Sequence, residues 1–131
     1  NMSSEKIIEN SGRKYSEMLM MLVEKYDEML PVELTFEETL EVGIEAWNIA
    51  NNKEFLQSRN LYEQEIKSCK YFEIVKKMVD FKLENFSEYN NIIVDCSTEN
   101  DILKVKTQTQ DNNFESLIRQ MINIKPTKKK K

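Results

Sequence analysis

The stretch Ile92-Ile93-Val94-Asp95-Cys96, then Ser97-Thr98-Glu99-Asn100-Asp101, then Ile102-Leu103-Lys104-Val105-Lys106-Thr107-Gln108-Thr109 decides the fold class. Its first and last thirds are rich in β-branched residues and alternate with period two, the pattern of half-buried strands. Its middle is turn-like. A loop over Thr98 to Asp101 would put Cys96 opposite Leu103, Val94 opposite Val105 and Ile92 opposite Thr107, giving one apolar face. Asp95 would then lie opposite Lys104 on the other face, a favourable cross-strand pair. Two strands alone are marginal in water, so this hairpin must dock on something: the rest of the chain, a second copy or a partner strand.

Everything upstream reads as helix. Thr35 and Glu38 form a Thr-x-x-Glu capping box, so a helix starts at Phe36. Phe36, Leu40, Gly43, Trp47 and Ala50 make its buried stripe, and Asn51-Asn52 marks its end. Gly43 costs about 1 kcal/mol in a helix relative to alanine, and the spacing suggests a neighbouring helix passing close beside Trp47, itself a core anchor. A first helix is expected from about Ser4 to Leu30, capped by Ser3 or Ser4 and stopped by Pro31. Ile8, Tyr15, Leu19, Leu22, Tyr26 and Met29 form its stripe, with Gly12 in the gap. Met18 to Val23 is apolar on every side, which suits burial on several faces or a subunit contact through Met20 and Met21.

A third helix is expected over Lys53 to Cys69 and a fourth over Lys70 to Phe86. No Gly or Pro separates them, so they read equally as one helix. The fourth carries two apolar lines and belongs at the centre of a bundle. Downstream of the hairpin, Asn112 and Glu115 cap a short helix over about 113–123, with Phe114, Leu117, Ile118 and Met121 on its stripe; Pro126 ends it. The expected architecture is α+β and mostly helical: a bundle of about four helices, a β-hairpin at about 91–109 and a C-terminal helix. Residues 1–124 form one domain, and 125–131 a disordered basic tail.

Composition excludes much chemistry. The 131 residues contain no histidine, two glycines, two prolines and two cysteines. Without histidine there is no His-based triad, no imidazole base and no imidazole metal ligand. Two isolated glycines cannot build a phosphate-cradling loop. Cys69 and Cys96 read as free thiols of a reducing compartment. No apolar run is long enough to span a bilayer and no secretion signal is visible, so a cytoplasmic protein is expected, with no membrane partner. The net charge is −4. Five lysines fall within the last seven residues, which leaves 14 basic against 23 acidic residues elsewhere. An acidic body is poor material for specific DNA recognition. Lys128, Lys129, Lys130 and Lys131 would give nucleic acid only weak, salt-sensitive contact. Ser3-x-x-Lys6 has the spacing of serine–lysine acyl enzymes, but at a helix start it reads as capping.

Carboxylates are then the main route to chemistry. Glu37-Glu38-Thr39-Leu40-Glu41 reads Glu-Glu-x-x-Glu, with Glu45 one turn on, and such a cluster suits Mg²⁺ or Mn²⁺. The pentapeptide resembles the first motif of the all-α nucleoside triphosphate pyrophosphohydrolases of the MazG type. That resemblance implies Mg²⁺-dependent nucleotide hydrolysis, with Glu38 and Glu41 as ligands and Glu37 beside them. The family's second motif, Glu-x-x-Asp, has no counterpart downstream; Asp80 is a carboxylate on a suitable helix, but the residue three before it is Lys77.

At about 100° per residue, Glu38, Glu41 and Glu45 lie nearly opposite Phe36, Leu40 and Trp47, as on a solvated face. From Glu33 to Asn52 there are five acids and no base. Lys70, Lys76, Lys77 and Lys82 on the fourth helix, a basic partner or a metal ion would balance them. The leading expectation is a small, cytoplasmic, bacterial, non-enzymatic interaction protein that forms a homodimer and presents Glu38, Glu41 and Glu45 to a basic partner. It needs no cofactor; the alternative is the Mg²⁺ or Mn²⁺ enzyme.

Overall fold

The computed structural model describes residues 14–109, and within them the chain is a helical bundle followed by one antiparallel hairpin. Helix α1 spans Tyr15–Tyr26 and runs into a single 3-10 turn, Asp27–Met29. Helices α2 (Phe36–Asn51), α3 (Lys53–Gln57), α4 (Arg59–Ser68) and α5 (Phe72–Asn85) follow. Strands β1 (Ile92–Glu99) and β2 (Ile102–Gln108) close the described chain. The capping serines, Gly12, the expected C-terminal helix and the lysine tail lie outside the described residues.

Helix α2 begins where its box places it. Thr35 Oγ1 accepts from the Glu38 amide at 3.1 Å and the Thr35 amide donates to Glu38 Oε1 at 2.8 Å. It is buried on two sides, with Leu40, Val42, Ala46, Trp47, Ile49 and Ala50 in the core. It therefore shares the centre with α5, whose Val75, Met78 and Val79 are buried. The expected stripe needs correcting at its start: Phe36 is 45% exposed, in a first turn whose Glu37 and Glu38 are exposed with it.

Residues 53–86 are neither one helix nor two. Asn52 ends α2 and starts α3 at once, its Oδ1 accepting from the Glu54 and Phe55 amides. Ser58 is extended, and its Oγ caps α4 by accepting from Leu61 at 3.2 Å. A second break falls at Cys69–Tyr71, ahead of α5. At Asn52 and Ser58, capping side chains do what Gly and Pro usually do.

Gly43 earns its place in α2 through α1. A Cβ at Gly43 would stand 2.6 Å from Val23 Cγ2 and 3.3 Å from Leu19 Cδ1. Val23 is stiff about χ1 and cannot swing aside cheaply. Overpacking costs about 1–3 kcal/mol, against about 1 kcal/mol of helix propensity gained. Gly43→Ala is thus expected to destabilise the wild type by about 1 kcal/mol in urea titration, yet to stabilise a Val23→Ala background. The same sign in both backgrounds would contradict the close approach.

The hairpin forms, but in another register. Its loop is two residues, Asn100 and Asp101, both at positive φ (53° and 64°), as a primed turn requires. Glu99 faces Ile102, Thr98 faces Leu103, Cys96 faces Val105 and Ile93 faces Thr107. Asp95 lies opposite Lys106, not Lys104; Lys104 pairs with Glu99 at 2.8 Å instead. A bulge between Ile93 and Asp95 reverses the phase, so Ile93 is buried and Val94 is 48% exposed. Leu103 and Val105 on β2, with Cys96 on β1, pack against the helical core.

Candidate functional site

The acidic face of α2 is open: Glu37, Glu38, Glu41 and Glu45 are all exposed. The helix nevertheless divides them among three settings. Glu38 is engaged by its own helix terminus, as the partner of the Thr35 amide. Glu37 and Glu41, one turn apart, line a groove of about 290 Å³ between α2 and β1. Leu40 and Ile44 line it from α2, and β1 contributes Ile93 through Thr98, including Asp95. Buried Leu40 and Ile93 and half-buried Ile44 make its lining partly apolar. Glu45 points elsewhere, toward α4 and the turn after it.

There Glu45, Glu65 and Cys69 bring one ligand atom each within 4.8 Å of one another. Among the described residues this is the one group of three possible metal ligands, and it shares only Glu45 with the Glu37, Glu38, Glu41, Glu45 set. Its chemistry is that of a protonated thiol. Burial, then the charge of Glu45, pushes Cys69 up to about 12, and its Sγ donates to the Glu65 carbonyl at 3.3 Å. Asp80, the expected second carboxylate, instead faces Tyr26 and Tyr62, whose hydroxyls it helps hold above their ordinary range after burial itself. Glu37, Glu38, Glu41 and Asp80 do not converge on one point among the described residues.

Of the methionines expected at an interface, Met20 is half-buried against the core and Met21 is 42% exposed. Both cysteines are free.

The structure adds a polar centre that periodicity alone does not announce. Lys82, grouped by sequence with surface cations, has no exposed area. Its Nζ donates to Asn51 Oδ1 at 2.5 Å and to the Tyr89 carbonyl at 2.9 Å, and lies 4.9 Å from the centre of the Trp47 ring. Asn51 spends both amide hydrogens on the carbonyls of Tyr89 and Asn91. Trp47 Nε1 donates to the Asn91 carbonyl at 2.9 Å, and the Asn91 amide donates to the Tyr15 hydroxyl at 3.2 Å. The ammonium keeps three donors and finds two oxygens and a ring face. Among the described residues it has no carboxylate partner, and burial lowers its pKa from 10.5 to about 8.

One turn before Asn51, Asn48 holds β1 itself. Its Nδ2 donates to the Ile93 carbonyl at 2.9 Å and its Oδ1 accepts from the Ile93 amide at 2.8 Å. Trp47, Asn48 and Asn51 thus bind the backbone of residues 89–93 and place β1 beside α2. The groove opens where the helix continues back toward Glu37.

No family model, curated protein or solved structure matches this chain. No helix among the described residues is long and apolar enough to cross a membrane.

Proposed function

We propose that this chain is a non-enzymatic interaction module of the cytoplasm that captures a basic protein partner on the α2 face bearing Glu37, Glu38, Glu41 and Glu45. One observation carries the reading. The ion pairs among the described residues are Arg59–Glu63 and Lys104–Glu99, so none draws on α2, although its acids are exposed and Glu37 and Glu41 stand together at the groove. The sequence places no base between Glu33 and Asn52, and like charges one turn apart cost a few tenths of a kcal/mol. A cationic partner would relieve that repulsion. The partly apolar groove beside Glu37 and Glu41 adds surface such a partner can bury.

Self-association as a homodimer belongs to the same reading. It is supported by exposed apolar side chains at Met21, Met29, Val32 and Phe36, all within the segment from α1 to the start of α2.

The test is fluorescence polarisation with labelled octalysine at about 50 mM salt, where exposed charges are weakly screened. Reversing Glu37 and Glu41 together to lysine should weaken binding at least tenfold. Reversing Glu24 and Glu28, which changes net charge equally, should weaken it far less. Equal losses would mean attraction to net charge alone and would overturn the reading. Light scattering on the same samples should give a dimer mass; a strict monomer at high micromolar concentration removes the self-association.

A further inference from the structure

We infer that the partner is bound as an extended basic segment, added as a third strand in the groove beside α2, on the edge of β1 that no strand among the described residues pairs. The inference rests on the reading of this face as a site for a basic partner and goes further in naming the backbone conformation recognised.

In a two-residue hairpin the residues that close the turn, here Glu99 and Ile102, exchange backbone hydrogen bonds. Alternate residues along β1 then turn their amide groups away from β2. That assigns Thr98 and Cys96 to the outer edge, and the observed register assigns Ile93 to it as well. Ile93 is where Asn48 bonds from outside, through both its amide and its carbonyl. The Asn48 side-chain amide therefore occupies the place of a peptide unit on a neighbouring strand. It supplies the first rung of a ladder, and the next rungs face the groove.

The groove lining fits a strand with alternating side chains. Leu40, Ile44 and Ile93 offer apolar contact to one face of an added strand, while Glu37, Glu41 and Asp95 are the carboxylates that line it. A strand rises about 3.3 Å per residue, so about four residues would run from the Asn48 rung to Thr98. Free edges are usually blunted, and here Asp95 Oδ1 accepts from the Cys96 amide at 2.8 Å. An incoming carbonyl would replace that bond and release the Asp95 carboxylate for a lysine or arginine of the segment. Main-chain bonding gives such sites their affinity and alternate side chains their selectivity, so the occupant is a segment of alternating apolar and basic residues.

The probe is a labelled Val-Lys-Val-Lys-Val-Lys peptide with blocked ends, titrated by fluorescence polarisation into the full chain. Amide proton shifts are followed in parallel. Strand addition predicts binding with the largest shifts at the Cys96 and Thr98 amides. It predicts at least tenfold weaker binding when alternate peptide nitrogens are methylated. It also predicts at least tenfold loss with Thr98→Pro, which removes an outward amide but no bond to β2; melting by circular dichroism checks that this variant folds. Unchanged affinity for the methylated peptide and for folded Thr98→Pro overturns strand addition. If reversal of Glu37 and Glu41 still abolishes octalysine binding, the basic-partner reading stands without it. No binding of the alternating peptide to the wild type also overturns strand addition.

Discussion

Asn51→Ala is expected to destabilise the protein by about 3 kcal/mol, because it leaves buried polar groups unsatisfied rather than merely removing contacts. The variant strips Lys82 of its Asn51 acceptor and leaves only the Tyr89 carbonyl bonded to the ammonium. It also takes one donor each from the carbonyls of Tyr89 and Asn91. Trp47 Nε1 still reaches Asn91 and Asn48 still holds Ile93, so the segment keeps ties to α2. Guanidinium titration at neutral pH measures the effect. A loss under about 1 kcal/mol would mean that Asn51 does not sustain the buried charge.

The second large effect is on the pH dependence of stability. Burial favours the neutral amine of Lys82 and takes its pKa from 10.5 to about 8. Below about pH 8 the folded and unfolded chains both hold this proton, and the full cost of burying the charge, about 3 kcal/mol, is present. Above that, the unfolded chain binds more protons, so stability rises with pH. Cys69 acts oppositely. Its thiol is raised from 9.0 to about 12, first by burial and then by Glu45. The unfolded chain loses that proton first, and stability falls as pH passes 9. Cys96 and the buried hydroxyl of Tyr15, also raised chiefly by burial, pull the same way. The wild type should therefore gain about 1 kcal/mol between pH 7.5 and 9 and then level off. Lys82→Met should lose the rise, whatever its baseline stability; Cys69→Ala should extend the rise toward pH 10.5. A Lys82→Met profile that climbs like the wild type would contradict this assignment.

Local signals are the ones a single sequence states well. The Thr35–Glu38 box and the Asn51–Asn52 boundary of α2 need only neighbours within a turn, and both match the structure. The period-two pattern of Leu103, Val105 and Thr107 likewise identifies the inward face of β2. What depends on the third dimension is less visible. The bulge at Val94 coincides with Asn48 holding Ile93, a contact across 45 residues, and it shifts the pairing of Ile92 and Ile93 that alternation alone predicts. A four-residue loop looks natural around Thr98-Glu99-Asn100-Asp101, yet Asn and Asp both tolerate positive φ and can form the whole turn.

The polar centre did leave a trace. Lys82 stands four residues after Met78 and four before Phe86, on the buried line of α5, and Asn51 follows Trp47 by one turn. A charged or amide residue inside an apolar stripe is the clue. It is easily set aside because lysine is so rarely buried. The acidic face shows the converse: its exposure was legible from helix angles, whereas the division of its four carboxylates among a cap, a groove and a thiol was not.

The ties around Asn91 also set an order of assembly. Asn91 bonds Tyr15 across 76 residues, Trp47 across 44 and Asn51 across 40. During synthesis α1 and α2 emerge long before residues 89–93 exist. Until the ribosome has made Tyr89 and Asn91, just ahead of β1, the Trp47 and Asn51 donors have only water to bond. Long-range pairing of this kind slows folding. The last described part of the chain to be made thus completes the packing of the first, as Leu103 and Val105 of β2 join the core that α1 begins.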